Sequence, residues 1–367
     1  MSMESSLNLA LAICLVLPGV LLAVMPWLTP RGEVFAVTVP AAARRDPRIM
    51  RLRRGYVACM LATTVVITGL GVAGAYDVLV WSVLACLLPA LGLAAMLVCR
   101  SRVQAIKVQE GWRAESAKAS AAVLPPEAPR PLPLAWNLLY VPVILATVVL
   151  TVALYPAMPD QIPMHAGLDG QVNSWADKSV MSASLPVVVQ LFFAGTLTGV
   201  HAGVLASKKG GSGSRRVASQ IAYGKFAQME TFVLLGTGLA LTASMGLIVL
   251  ASAELISLSD AGVFISVITV AVLVIEIAVA VWCGQSGSRL LGEAAGVGVP
   301  DEMDADEDAL WKVGVFYVNR DDPSIMVPKR FGIGWTLNFG NWRSWLITVA
   351  FLVVTMGFVV VCMAMAS

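Results

Sequence analysis

GVFISVITVAVLVIEIAVAVWC, residues 262–283, runs for 22 residues with a single charge, Glu276. As a helix rising about 1.5 Å per residue it is about 33 Å long, enough to cross a hydrocarbon layer roughly 30 Å thick. Seven further stretches match it in length and character: about Leu7–Leu28, Tyr56–Ala75, Val78–Val98, Leu138–Met158, Val180–Leu205, Glu230–Ala251 and Trp345–Met365. Of the 367 residues, 58% are apolar and 13% charged, where soluble domains run near 25% charged. A soluble core of this size needs a polar skin that these residues cannot supply. The sequence therefore predicts an all-α polytopic membrane protein with about eight transmembrane helices. The first stretch has Glu4 as its only early charge, so it reads as a span and not as a secretory signal.

The connections between these spans alternate in charge. The odd ones, 29–55, 99–137, 206–229 and 284–344, hold 24 of the 25 lysines and arginines; the remaining one, Lys178, lies in the fourth. The positive-inside rule places the odd connections in the cytoplasm and both termini outside. A miscount of one helix would break the alternation, so count and charge support each other. Four regions follow: 1–137, three spans with basic loops; 138–283, a four-span core carrying an outer loop at 155–178; 284–344, a small cytoplasmic segment; and 345–367, the last span. The run 301–308, DEMDADED, reads as solvated. Pro18, Pro89, Pro142 and Pro186 fall within spans and predict kinks.

Several chemistries are disfavoured. The six cysteines lie in or beside apolar stretches without a CxxC spacing, and the only histidines are His165 and His201. No HExxH, GxSxG or P-loop occurs. No metal, cofactor or catalytic residue is assigned. The basic residues suit topology and anionic headgroups, so the partner expected is the lipid bilayer and not nucleic acid.

Residues 155–178, YPAMPDQIPMHAGLDGQVNSWADK, form the most informative loop. Its prolines restrict the backbone and its glycines permit positive φ, which predicts a rigid loop folded onto the helix ends. Asp160, His165, Asp169, Asn173, Trp175 and Lys178 are its candidate ligand-binding residues. The alternative is a structural cap held by internal turns. Tyr155, Pro156, Pro159, Asp160, Ile162, Pro163 and His165, followed by Gly170, Asn173, Trp175 and Lys178, resemble the signature loop of SdpI-type bacterial membrane proteins. Where that family more often has an aromatic residue and Asn after the histidine, this chain has Ala166 and Gly167.

A second stretch, WKVGVFYVNRDDPSIMVPKRFGIGWTLNFGNW at 311–342, resembles the small domain that accompanies this loop in larger members of that family, and GQSGSRL at 284–290 is also similar. On its own residues, VGVFYV predicts a short strand and NRDDP a turn. The segment is a small β-structured flap, read either as a partner surface at Lys329, Arg330 and Trp335 or as a plug anchored by Trp335, Trp342 and Trp345.

Within the spans, Glu276, His201 and Glu230 lie at a common depth toward the cytoplasmic side. An acid in hydrocarbon needs a partner, a proton or water. They form either an inward polar cavity or interhelical hydrogen bonds, and Gln190 reads as the latter. The resemblance implies an inner-membrane immunity or signalling protein that senses or sequesters a secreted peptide or envelope ligand and holds a cytoplasmic regulator. The residues also permit a transporter built on Glu276. A third reading is a membrane enzyme in which His165 pairs with Asp160 or Asp169.

Overall fold

A computed structural model describes residues 3–30, 32–73, 78–113, 128–167, 171–208, 216–290 and 306–365. Asp169, the basic turn 209–215 and the acidic residues 301–305 lie outside them. Among the described residues, eight helices are long and apolar enough to cross a membrane: α1 (Met3–Leu28), α2 (Pro47–Ala73), α3 (Val78–Gln109), α4 (Tyr140–Leu154), α5 (Leu185–Leu205), α6 (Arg216–Ser252), α7 (Leu258–Cys283) and α8 (Trp342–Met365).

Three helices run well past their apolar stretches. α2 starts at Pro47 rather than near Tyr56, α3 continues to Gln109 rather than ending near Val98, and α6 starts at Arg216 rather than near Glu230. Hydropathy registers only the length in hydrocarbon, and a basic helical turn beyond it is invisible to that measure. At 37 residues, α6 is about 55 Å long, so about 25 Å of it stands clear of the hydrocarbon. Pro47 suits the first turn of α2, where no N–H is needed, and the carboxylate of the preceding Asp46 accepts from the Arg48 amide at 2.8 Å. Pro186 likewise sits in the first turn of α5. Pro18 and Pro89 are the two expected kink positions that lie inside their helices.

α1 packs on α2, α3 and α7, while α6 packs on α4, α5 and α7. Leu15, Tyr56, Met60, Trp81, Leu88 and Met96 belong to the core of the first group. In the second group Gln190 is fully buried where α4, α5 and α6 meet. Its amide donates to Thr147 Oγ1 and to the Thr242 carbonyl, each at 2.7 Å, as the interhelical reading expected. α8 stands at the periphery. It meets α5 through a stacked Phe192–Phe358 pair with centroids 4.0 Å apart, and none of its apolar window is buried by protein.

Among the described residues, eight short strands form four antiparallel hairpins. β1 (Glu33–Val34) and β2 (Val37–Thr38) lie in the first connection, and β3 (Gln161–Ala166) and β4 (Val172–Asp177) in the fourth. β5 (Trp311–Lys312), β6 (Phe316–Tyr317), β7 (Met326–Pro328) and β8 (Trp335–Leu337) build a cap from the seventh. A bridge from Tyr317 to Asn338 joins the two cap hairpins. The cap touches the first connection, the end of α3, Lys208 beyond α5 and Gln285 beyond α7. The odd connections thus gather at one end of the bundle, the cap end, and the β3–β4 hairpin closes the other.

Candidate functional site

The β3–β4 hairpin is built from its base upward. Met158 and Ile162 are buried with Ala183, Val249 and Ala253, which seats the strand on the ends of α4 and α6. Lys178 locks the base: its ammonium donates to the Met158 carbonyl at 2.6 Å and the Pro156 carbonyl at 3.3 Å, and lies 5.2 Å from the Tyr155 ring. Its amide donates to the Asp160 carbonyl at 2.7 Å. Ser179 and Ser182 then cap the turn that leads into α5, each side chain accepting from the other's amide at 3.0 Å.

Above this base the hairpin presents a free face. His165, Asn173 and Trp175 are exposed, Trp175 at 47%. The His165 Nδ1–H donates to Asn173 Oδ1 at 2.6 Å, across a β-bulge that shifts the register beside His165. The bulge sets His165 opposite Ser174 rather than Asn173 in the ladder, and the side-chain bond keeps His165 tied to Asn173 across that shift. Asp160 sits exposed at the base, five residues and about 15 Å of extended chain from His165. The extended strand holds the two apart, and His165 is bonded to Asn173 instead. Lys178 is committed to the fold rather than displayed for a ligand, and Asp169 lies outside the described residues.

Of the three ionisable candidates within the spans, Glu276, Glu230 and His201, the structure places the first two near each other. Glu276 on α7 accepts from Thr237 Oγ1 on α6 at 2.9 Å, and Glu230, also on α6, lies within electrostatic reach of it. Cys283 shares this neighbourhood, and the Lys225 ammonium donates to Gln228 at 3.2 Å. His201 is elsewhere and fully buried. Its Nε2–H donates to the Leu132 carbonyl at 2.9 Å while Nδ1 accepts from the Asn137 amide at 2.8 Å. The Leu132 amide in turn donates to Thr231 Oγ1 at 3.0 Å. His201 therefore fastens the segment ahead of α4 to α5 and α6.

The cap is organised by charge. Arg330 is 6% exposed and meets Asp308 at 2.5 Å, Glu33 at 3.4 Å and Glu307 at 3.9 Å. Asp308 also takes the Lys107 ammonium at 2.7 Å and the Thr38 hydroxyl and amide at 2.8 and 3.0 Å. Burial works against its charged form, but the bonds from Lys107 and Thr38 and the Arg330 charge outweigh it and hold its pKa below the ordinary carboxylate value. Asp306 and Asp308, the described end of the acidic run read as solvated, are therefore bound counter-ions. Asp322, bonded by Lys208 at 2.9 Å and by the Ser324 amide, is lowered against its burial to about 2.

Arg330 is thus inside the cap and not on a partner surface, because its guanidinium is the point at which the first and seventh connections join. Lys329 is half-buried, and desolvation lowers its pKa. Trp335 donates to Tyr223 Oη at 3.0 Å and packs on Phe226, whereas Trp342 and Trp345 are 68% and 54% exposed on α8.

Two stretches of the chain match known families. Residues 143–189 match a "Domain of unknown function (DUF1648)", and residues 320–345 match a "Family of unknown function (DUF5808)". The first takes in most of α4, the whole hairpin and the start of α5; the second takes in β7, β8 and the start of α8. No curated protein and no solved structure matches the chain.

Other residues that hold the cap escaped the sequence reading. Gln285, fully buried, donates to the Lys329 and Gly334 carbonyls at 2.7 and 2.9 Å and accepts from the Gly334 amide at 2.8 Å. Asn338, also fully buried, donates to the carbonyls of Asn319, Asp322 and Ser324 and accepts from the amides of Asn319 and Gly340. Both lie in the quoted stretches at 284–290 and 311–342, but nothing in composition separates a buried amide from an exposed one. Arg100 donates to the Ala36 carbonyl in the β1–β2 turn, whose central residues Phe35 and Ala36 both take positive φ. That turn is unfavourable for side chains of this kind. Burial of Phe35 against Tyr56 and Phe331 offsets the cost.

Proposed function

We propose that this is a bacterial inner-membrane protein of the SdpI type, whose β3–β4 hairpin faces outward and recognises a secreted peptide or envelope ligand. The observation that carries this reading is the division of labour within the hairpin. Lys178, Ile162 and Met158 are spent on holding its base. His165, Asn173 and Trp175 stay exposed on a rigid support. A rigid aromatic beside a hydrogen-bonding pair is the equipment of a recognition surface. On the positive-inside rule, the basic residues of the odd connections support a cytoplasmic cap end. There the cap ties four connections together, and a cytoplasmic regulator would meet its outer face rather than Arg330.

The test is survival. A deletion strain is complemented with wild type, His165→Ala or Trp175→Ala at equal expression and exposed to the producer's own secreted peptides. Protection by wild type that is lost in both variants supports the reading. Equal protection by wild type and variants, or none by wild type, refutes recognition of those peptides by the hairpin.

A second reading rests on Glu276, Thr237 and Glu230, which put two acids at one seam within the spans. As a transporter, the protein would lose proton-coupled flux in vesicles on Glu276→Gln while remaining folded. Flux unchanged by that variant removes the reading.

A further inference from the structure

Arg53 is the largest fully buried side chain among the described residues, at 2% exposure. Its Nε and Nη2 meet no acceptor there. One turn further along the same face of α2, Tyr56 is equally buried and its hydroxyl is also unmatched. Arg330, Lys107 and Lys208 at the same end of the bundle each have a carboxylate. Arg53 has the Trp27 ring, 5.3 Å from its guanidinium carbon, and the positive charge of Arg44 within electrostatic reach. A cation buried without an anion and beside a second cation is costly. It is sustained where an anion completes it.

The depth identifies that anion. Arg53 lies one turn ahead of the apolar part of α2, and Trp27 lies one residue before the end of α1. Trp27 is 39% exposed, in the position of an interfacial aromatic. A planar guanidinium, which only donates, with a phenol O–H able to donate beside it suits the oxygens of a phosphate, and basic pockets between membrane helices hold lipid headgroups. We propose that the α1–α2 junction at the cap end is a binding site for the phosphate of an anionic lipid, with Arg53 as its principal ligand, Tyr56 as a second donor and Trp27 as the lid on the lipid side. The indole must turn aside for the phosphate to reach Nε and Nη2. This site is independent of the hairpin and of the function proposed for it.

Full-length protein in detergent micelles is titrated with phosphatidylglycerol, phosphatidylcholine or inorganic phosphate, and bound ligand is counted by native mass spectrometry. Wild type should retain phosphatidylglycerol in preference to phosphatidylcholine. Arg53→Met should weaken phosphatidylglycerol about tenfold or more, the worth of a charge-assisted hydrogen bond. Arg53→Lys should recover part of the affinity, keeping the charge without the fork. Arg51→Gln and Arg54→Gln, on exposed arginines of the same turn, should each change affinity by no more than about threefold, as for surface charges. Undiminished binding by Arg53→Met, or an equal loss in the Arg51 and Arg54 variants, overturns the site. Inorganic phosphate binding as tightly as phosphatidylglycerol overturns its assignment to a lipid. Arg53→Met removes an unpaired buried charge and is expected to fold. Should it not, hydrogen exchange of wild type decides: phosphatidylglycerol must slow exchange at the α1–α2 junction, and no slowing overturns the proposal.

Discussion

Asp308→Asn should undock the cap while leaving the bundle folded. The side chain keeps its shape and an acceptor oxygen, so the bonds from Thr38 at 2.8 and 3.0 Å can persist. What is lost is the negative charge between Arg330 at 2.5 Å and Lys107 at 2.7 Å. Removing one partner of a buried ion pair costs about 3–5 kcal/mol, because the other charge is left without compensation. Glu33 at 3.4 Å and Glu307 at 3.9 Å still face Arg330, and Lys107 keeps Asp306 at 2.7 Å, which sets the cost near the lower end. A cost of about 3 kcal/mol multiplies the undocked population about 150-fold. Hydrogen exchange followed by mass spectrometry at pH 7 in micelles reads this directly. The reporters are the Asn338 amide bonded to Ile325 and the Phe339 amide bonded to Tyr317, each at 2.8 Å. Amides of α4 are the internal reference. Exchange in the cap unchanged by the substitution would refute the clamp, and equal acceleration in cap and α4 would show the loss to be global.

The same clamp gives a pH dependence. Asp308 and Asp322 have pKa values below their unfolded ones, so the stability they lend is present above the unfolded pKa and is lost as pH falls through the folded one. For Asp322 that window runs from about 4 down to about 2. Cap protection, corrected for intrinsic exchange, should be flat from neutrality to mild acid and then fall, and a fall beginning near neutrality contradicts the assignment. Gly340→Ala should destroy the cap hairpin pairing, since a Cβ there would stand 2.6 Å from the Asn319 nitrogen, and that backbone has no room to yield; tolerance, read as wild-type resistance to limited proteolysis, argues against the packing. Lys178→Met keeps the stem over Tyr155 but removes two hydrogen bonds to carbonyls. At about 1.5–3 kcal/mol for each bond to a charged group, exchange in β3 and β4 should rise while α6 is unaffected, and unchanged exchange would show that the base does not depend on the ammonium.

The eight spans were legible in the sequence because hydrocarbon imposes a local test: about 20 residues without charge, whatever lies elsewhere in the chain. The alternation of basic connections obeys the same local logic. In the flap, NRDDP marked the turn, but VGVFYV holds only the two-residue strand β6; its first half is the β5–β6 turn, where Val313 and Gly314 take positive φ. The hairpin was legible as a rigid loop, but not as two bulged strands that join His165 to Asn173 and hold Asp160 apart from it. Helical ends beyond the hydrocarbon, such as 47–55 and 216–229, gave no signal, since leaving hydrocarbon does not end a helix and their burial is against the cap and neighbouring helices. Only the tertiary structure decided which charges are spent and which are left over. Arg330 looked like a surface cation and Asp308 like one acid in a solvated run, yet they neutralise each other within the cap. Arg53 was one of seven basic residues in its connection and proves to be buried with Nε and Nη2 unmatched among the described residues. Thr38 and Asp308 are 270 residues apart. Pairing over that distance depends on which helix ends the bundle brings together, and no local pattern of residue types encodes it.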